Sequence, residues 1–225
     1  MVKLKICGLR REEDIDMVNR YSPDFIGFVF AESPRKVTKE EASHLSSLLN
    51  DEISPVGVFV NEEIDFILDL FKENIIGIAQ LHGDEDEEYI KKLKALSKEE
   101  TGREIPVINA VEIRDDFDDS IGEDERISSV RNKLIELSAS ASDYLLLDSG
   151  KGSGKTFNWT LIEGVDEIFK KPYFLAGGLN SNNLKLAMEE FNPFAVDLSS
   201  GVEINGFKDE SLIGEVSEIL REFND

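Results

Sequence analysis

The feature that most constrains this chain is an alternation kept up from one end to the other. Short apolar runs of strand length recur at Leu4–Cys7, Phe25–Phe30, Val56–Val60, Ile76–Leu81, Ile105–Val111, Tyr144–Asp148, Tyr173–Leu175 and Phe194–Leu198. Between them lie stretches with a period near 3.6, the mark of an amphipathic helix. Ile64, Ile67, Leu68 and Phe71 share one helical face, as do Leu184, Ala187, Met188 and Phe191, and then Leu212, Val216, Ile219, Leu220 and Phe223. Thr38 followed by Glu41 reads as a capping box, and Asn158 and Ser181 stand where N-caps are expected. Eight strand–helix units within 225 residues predict an α/β fold, a (β/α)8 TIM barrel forming a single domain over residues 1–225. A doubly wound open sheet is the alternative, but it rarely needs eight such units, and no GxGxxG follows the first strand.

Charge and composition remove whole classes of function. The formal net charge of -22 argues against nucleic acid or an anionic membrane as a partner. Such acidity fits a salty cytoplasm, where screening tolerates self-repulsion, or an ordinary acidic soluble protein. No apolar window is long enough for a transmembrane helix, and Lys3 and Lys5 follow the first methionine without a signal-like region. A single cysteine, Cys7, excludes an internal disulfide and fits a reducing cytoplasm. The densest run of charge, Glu112–Arg126, reads as a solvated insertion after the fifth strand rather than a metal site, because crowded carboxylates repel one another.

Strand side chains in a barrel alternate between its interior and its helix layer. In the first strand the apolar Leu4 and Ile6 must face the helices, so Lys5 and Cys7 face inward. A buried ammonium is costly unless paired. The eighth strand, adjacent to the first when a barrel closes, offers Asp197 inward with Phe194 and Val196 outward. A Lys5–Asp197 ion pair is therefore expected. Asp148 ends the sixth strand on the face opposite Leu145 and Leu147. Cys7 and Asp148 thus both end strands at the C-terminal rim, where barrel active sites lie. Taken alone, each has a plain structural reading, as a small buried residue or a turn carboxylate.

Three glycine-rich turns follow strands 6, 7 and 8: Gly150–Lys155, Gly177-Gly178 and Ser199-Ser200-Gly201. The last two occupy the loops that commonly form a phosphate site in this architecture, glycine allowing backbone N–H groups to approach an anion. Gly154-Lys155-Thr156 imitates the end of a Walker A motif, but Ser149 stands where its first glycine is required. A mobile loop that closes over substrate is the better reading of that segment.

These residues resemble one family, the phosphoribosylanthranilate isomerases. The matching segments are Lys5-Ile6-Cys7-Gly8, Gly27–Phe30 with Ser33-Pro34-Arg35, Val56–Asn61 and Gln80–Gly83. They continue through Leu147-Asp148, Gly152–Phe157 with Trp159, Gly177–Leu179 and Pro193–Glu203, in order and across nearly the whole chain. The sequence departs from the family at Lys151, where a glycine is usual, and in the acidic insertion. The resemblance implies an intramolecular oxidoreductase of the aldose–ketose type, working in tryptophan biosynthesis by general acid–base catalysis. Its substrate would be a small sugar phosphate, with no cofactor and no metal. It further implies Asp148 as the acid, its pKa raised so that it stays protonated, and Cys7 as the base, ionised with help from Lys5 or the substrate. Arg35 would anchor the anthranilate carboxylate, and Asp197 would support the substrate. Gly154, Gly177, Gly178, Ser199, Ser200 and Gly201 would hold the phosphate. The enzyme implied is cytoplasmic, a monomer or a homodimer.

Other readings remain in play at this level. His82 ends the fourth strand near the rim and is the natural rival base, since histidine titrates closest to neutrality. The resemblance assigns it a supporting role, and His44 reads as a surface or packing residue. An indole-glycerol-phosphate synthase would need a catalytic lysine and glutamate set not found here. A histidine-pathway isomerase would place an aspartate where Cys7 stands. A silent barrel that merely binds a phosphorylated ligand would be indifferent to Cys7→Ala.

Overall fold

The computed structural model describes residues 1–113, 122–148, 159–162, 164–165 and 171–225. Eight parallel strands close into a barrel in sequence order: β1 (Lys3–Cys7), β2 (Phe25–Val29), β3 (Ser54–Phe59), β4 (Ile78–Leu81), β5 (Val107–Glu112), β6 (Tyr144–Asp148), β7 (Tyr173–Ala176) and β8 (Ala195–Leu198). Seven α-helices surround it among the described residues: α1 (Glu12–Tyr21), α2 (Lys39–Ser47), α3 (Ile64–Lys72), α4 (Glu87–Thr101), α5 (Glu123–Ser138), α6 (Leu184–Phe191) and α7 (Glu210–Asn224). Between β6 and β7 the described element is a short 3-10 turn, Trp159–Ile162. A two-stranded hairpin, β9 (Glu203–Ile204) and β10 (Phe207–Lys208), follows β8. None of the described helices is long and apolar enough to cross a membrane.

The barrel closes because both faces of its strands are buried. Ile6, Ile26, Phe28, Phe59, Leu145, Leu147, Val196 and Leu198 point out and pack beneath the helices in one continuous apolar layer. Each such large side chain, removed from water, stabilises the fold by about 1.5–3 kcal/mol. Local signals start the helices. Thr38 accepts from the Glu41 N–H at 3.2 Å while Glu41 accepts from the Thr38 N–H at 2.8 Å, the reciprocal capping expected from the sequence. Asp86 and Asp209 cap α4 and α7 by side chain alone, accepting from the Tyr89 N–H and from the Ser211 and Leu212 N–H groups. The cap of α6 is Asn183, two residues beyond the expected Ser181, because the chain makes a further turn from Asn180 before entering the helix. Asn158 lies outside the described residues.

The barrel interior is graded from apolar to polar. At its N-terminal end Phe25, Val56, Ile78, Ile108, Leu146, Phe174 and Ala195 form a plug. Phe194, expected to face outward, instead packs its ring on this plug, with centroids 6.3 Å from Phe25 and 5.6 Å from Phe174. It precedes β8, so strand alternation does not govern it, and the open base of the barrel offers the larger apolar surface. The Lys3 ammonium covers the Phe25 and Phe194 rings at 5.4 and 5.2 Å. Toward the C-terminal end the inward residues become Lys5, Cys7, Gln80, Asp148 and Asp197. That gradient fixes which end can do chemistry.

Candidate active site

Strand register brings the first polar layer together. β1 pairs with β8 so that Lys5 lies opposite Asp197, as the alternation of both strands requires. The fully buried Lys5 ammonium donates to Asp197 Oδ2 at 2.6 Å and to Gln80 Oε1 at 2.9 Å. The expected ion pair is present, and Gln80 is a further partner. Burial acts to lower the Lys5 pKa, but the charges of Asp197 and Cys7 outweigh it, so Lys5 is held protonated. Asp197 Oδ1 is buried without a hydrogen-bond partner among the described residues.

Cys7 lies one pleat above Lys5, at the end of β1 and opposite Gly27 of β2. A Cβ at position 27 would sit 2.6 Å from the Cys7 sulfur, so only glycine leaves the thiol its space. The thiol is buried, and desolvation pushes its pKa up. Lys5 and Lys208 pull it down, but they do not offset the burial. Lys5 thus helps the thiol in the expected direction, but its help alone does not bring Cys7 below its ordinary value. Lys5 opposes the desolvation without cancelling it, because its own charge is largely committed to Asp197.

Asp148 ends β6 and lies opposite Ala176 of β7 and Glu112 of β5. His82 Nε2 stands 3.7 Å from Asp148 Oδ2, and His82 Nδ1 is 3.5 Å from Gln80 Nε2. Lys5, Gln80 and Asp197 thus form one polar layer, and Cys7 and Asp148 end their strands above it, with His82 beside Asp148. His44 lies on α2, exposed and beside Glu12.

The loops after β7 and β8 meet closely. Gly177 and Gly178 take φ of 93° and 67°, the left-handed region that favours glycine. A Cβ on Gly201 would fall 1.8 Å from the Leu179 carbonyl oxygen, so glycine is what lets the two loops touch. Ser199 Oγ donates to the Cys7 carbonyl at 3.2 Å, tying the loop after β8 to the end of β1. Among the described residues the N–H groups of Gly178, Leu179, Ser200 and Gly201 make no hydrogen bond. Gly154 and the rest of Gly150–Lys155 lie outside the described residues, as does most of the acidic stretch, of which Glu112 ends β5 and Glu123–Arg126 begin α5.

Arg35 reaches the rim from the loop after β2, and its guanidinium is already engaged. Its Nε and Nη2 donate to the two oxygens of Glu203, both at 2.7 Å. Glu203 Oε1 also accepts from Lys208 Nζ at 2.8 Å. Sequence reasoning missed Glu203 and Lys208. The signal was Asn205-Gly206, which turns left-handed at φ of 53° and 79° and sets Glu203 opposite Lys208 in the β9–β10 hairpin.

Comparison with known proteins follows this geometry. Residues 4–218 match the family model described as N-(5'-phosphoribosyl)anthranilate (PRA) isomerase. A relative from Endomicrobium trichonymphae, named N-(5'-phosphoribosyl)anthranilate isomerase, is 43% identical over 98% of this chain and 99% of its own length. The crystal structure of phosphoribosyl anthranilate isomerase from Thermotoga maritima superposes with a TM-score of 0.78 at 34% identity, covering 99% of this chain and 100% of that one. A further crystal structure of a phosphoribosyl anthranilate isomerase, in complex with reduced 1-(o-carboxyphenylamino)-1-deoxyribulose 5-phosphate, gives a TM-score of 0.76 at 32% identity over 99% of this chain and 100% of that one.

Proposed function

The chain belongs to the N-(5'-phosphoribosyl)anthranilate isomerase family, and we propose that Cys7 and Asp148 perform that isomerisation as base and acid. The reaction is an aldose–ketose type intramolecular rearrangement in tryptophan biosynthesis. The Asp148 carboxylic acid protonates the ribose ring oxygen, and the ring opens to a protonated imine. The Cys7 thiolate removes the C2 proton, and the electrons flow toward the iminium nitrogen to give an enolamine. Tautomerisation of the enolamine yields 1-(2-carboxyphenylamino)-1-deoxyribulose 5-phosphate with no change in composition.

The observation that carries the reading is the polar layer in which Cys7 faces the Lys5 ammonium and shares the rim with Asp148. A buried thiol is a weak acid at rest, so it ionises best when a cation arrives beside it, and the protonated imine is that cation. Arg35 receives the anthranilate carboxylate through the N–H groups that Glu203 leaves open. Gly177, Gly178, Ser199, Ser200 and Gly201, with Gly154, hold the phosphate through backbone N–H groups, and Asp197 supports the layer below. The whole chain acts as one cytoplasmic catalytic domain on a small sugar phosphate, as a monomer or homodimer.

Cys7→Ala and Asp148→Asn test this directly. Each is expected to lower kcat by several orders of magnitude in a fluorescence assay of phosphoribosylanthranilate consumption, with the circular dichroism unchanged. Near-wild-type turnover by either would remove that residue from the mechanism.

A further inference from the structure

Lys208 is a buried ammonium whose one influence described so far is to pull the Cys7 thiol down. Its side chain is 1% exposed, and Nζ donates to the Ser199 carbonyl at 2.9 Å and to Glu203 Oε1 at 2.8 Å. Burying a lysine is costly, and here desolvation lowers its pKa. A surface hairpin gains nothing obvious from such a residue, since an apolar side chain would fill the same space more cheaply. What Lys208 contacts suggests its use.

Glu203 is also nearly buried, at 6% exposure, and it joins Lys208 to Arg35. The same oxygen, Oε1, accepts from Lys208 Nζ and from Arg35 Nε, while Oε2 accepts from Arg35 Nη2. This side-on, bidentate grip fixes the plane of the guanidinium. Its Nη1 edge, with the remaining hydrogen of Nη2, is left to face another planar anion. One negative charge between two positive ones leaves the trio with a net positive charge toward the rim. Burial works to raise the Glu203 pKa, but its hydrogen bonds to Arg35 and Lys208 hold it down to about 2, so the grip persists across the working pH range. The hairpin carrying Glu203 and Lys208 is itself fastened, with Arg11 Nη2 on the Lys208 carbonyl at 3.4 Å and Arg10 Nη2 on the Gly206 carbonyl at 3.0 Å.

We propose that Glu203 and Lys208 are positioning residues that aim Arg35 at the substrate's aromatic carboxylate, Lys208 acting by orienting Glu203. The proposal rests on the assignment of Arg35 as the carboxylate anchor and adds the pair that gives the anchor its direction. Specificity for an ortho-carboxylated arylamine then depends on a hairpin behind the site as well as on the arginine in it.

The test uses two product analogues, the reduced carboxyphenylamino-deoxyribitol phosphate and the same compound with a plain phenylamino group. They are titrated calorimetrically into wild type, Lys208→Met and Glu203→Gln, with KM and kcat measured alongside. Lys208→Met and Glu203→Gln are each expected to weaken the carboxylated analogue tenfold to a hundredfold and raise KM similarly. Glu203→Gln should leave kcat within about threefold, whereas Lys208→Met, which also removes a cation acting on Cys7, should lower kcat further at neutral pH. The plain analogue should bind all three proteins alike. Lys208→Arg, which keeps the charge, should recover part of the loss. If both analogues weaken equally, the pair is merely structural and the proposal is overturned. It is equally overturned if neither analogue weakens. If wild type itself fails to prefer the carboxylated analogue, the Arg35 anchor is wrong, which is a separate and recognisable outcome. Should Lys208→Met fail to fold, Glu203→Gln decides by the same comparison.

Discussion

Lys5 and Asp197 face each other across the seam where the barrel closes, 2.6 Å apart and buried. Removing one partner leaves an uncompensated charge in the interior, at a cost of about 3–5 kcal/mol. Lys5→Met and Asp197→Asn should therefore each lower the urea midpoint strongly. The double variant with Met at 5 and Leu at 197 should recover much of that loss, because apolar pairs often replace buried ion pairs without penalty. If the double variant were as unstable as the sum of the singles, the pair would not be a coupled unit.

The buried thiol makes a pH prediction with a definite sign. A free cysteine titrates near about 8.5, and burial moves Cys7 above its ordinary value against the pull of Lys5 and Lys208. With the thiolate as the proposed base, kcat/KM should still be rising between pH 7 and 9. Lys5→Met removes a nearby cation and should carry that rise to higher pH. The stability linkage runs the other way. A raised folded-state thiol pKa gives stability that is complete below about 8.5 and lost as pH climbs through the folded value. A kcat/KM profile already flat at neutral pH in the free enzyme would contradict this account.

Much of this site could be read from the period of the strands, and what could not has identifiable causes. Lys5, Cys7, Asp148 and Asp197 obey alternation, because each lies within a strand whose apolar members must face the helices. Gln80 obeys it too, sharing a face with Ile78 and His82 in an otherwise apolar run, and the same count would have named it as Lys5's second partner. Phe194 lies one residue before β8, beyond the reach of alternation, and the open barrel base claimed it. Glu203 and Lys208 depend on a hairpin whose two-residue turn was written plainly in Asn205-Gly206. Their contact with Arg35, 168 positions from Glu203, follows only from the three-dimensional meeting of two loops.

His82 offers a direct contest with Cys7 for the role of base. Its imidazole, just past the end of β4, stands 3.7 Å from the Asp148 carboxyl, near enough to steady the acid. His82→Ala should reduce kcat by about tenfold, less than the roughly 10²–10⁴-fold a group that itself transfers the proton contributes, and leave KM little changed. A loss as deep as that of Cys7→Ala, measured in the same assay, would transfer the role of base to the histidine.

The meeting of the two loops after β7 and β8 should be the site's least tolerant backbone. At Gly201 an added Cβ would lie 1.8 Å from the Leu179 carbonyl oxygen, a backbone atom that cannot swing aside as a side chain would. Gly201→Ala must therefore push one loop away from the other and spread the N–H groups proposed to hold the phosphate. The fold should survive, since the eight strands are untouched, but Leu179 and Val202 anchor these loops in the apolar layer, so a loss of about 2 kcal/mol is expected. KM for the phosphorylated substrate should rise tenfold to a hundredfold, and inhibition by inorganic phosphate should weaken in parallel. Gly178→Ala, strained by its φ of 67° but open around its Cβ, should do less on both measures. If Gly201→Ala raised KM while leaving phosphate inhibition intact, the two loops would not be the phosphate site.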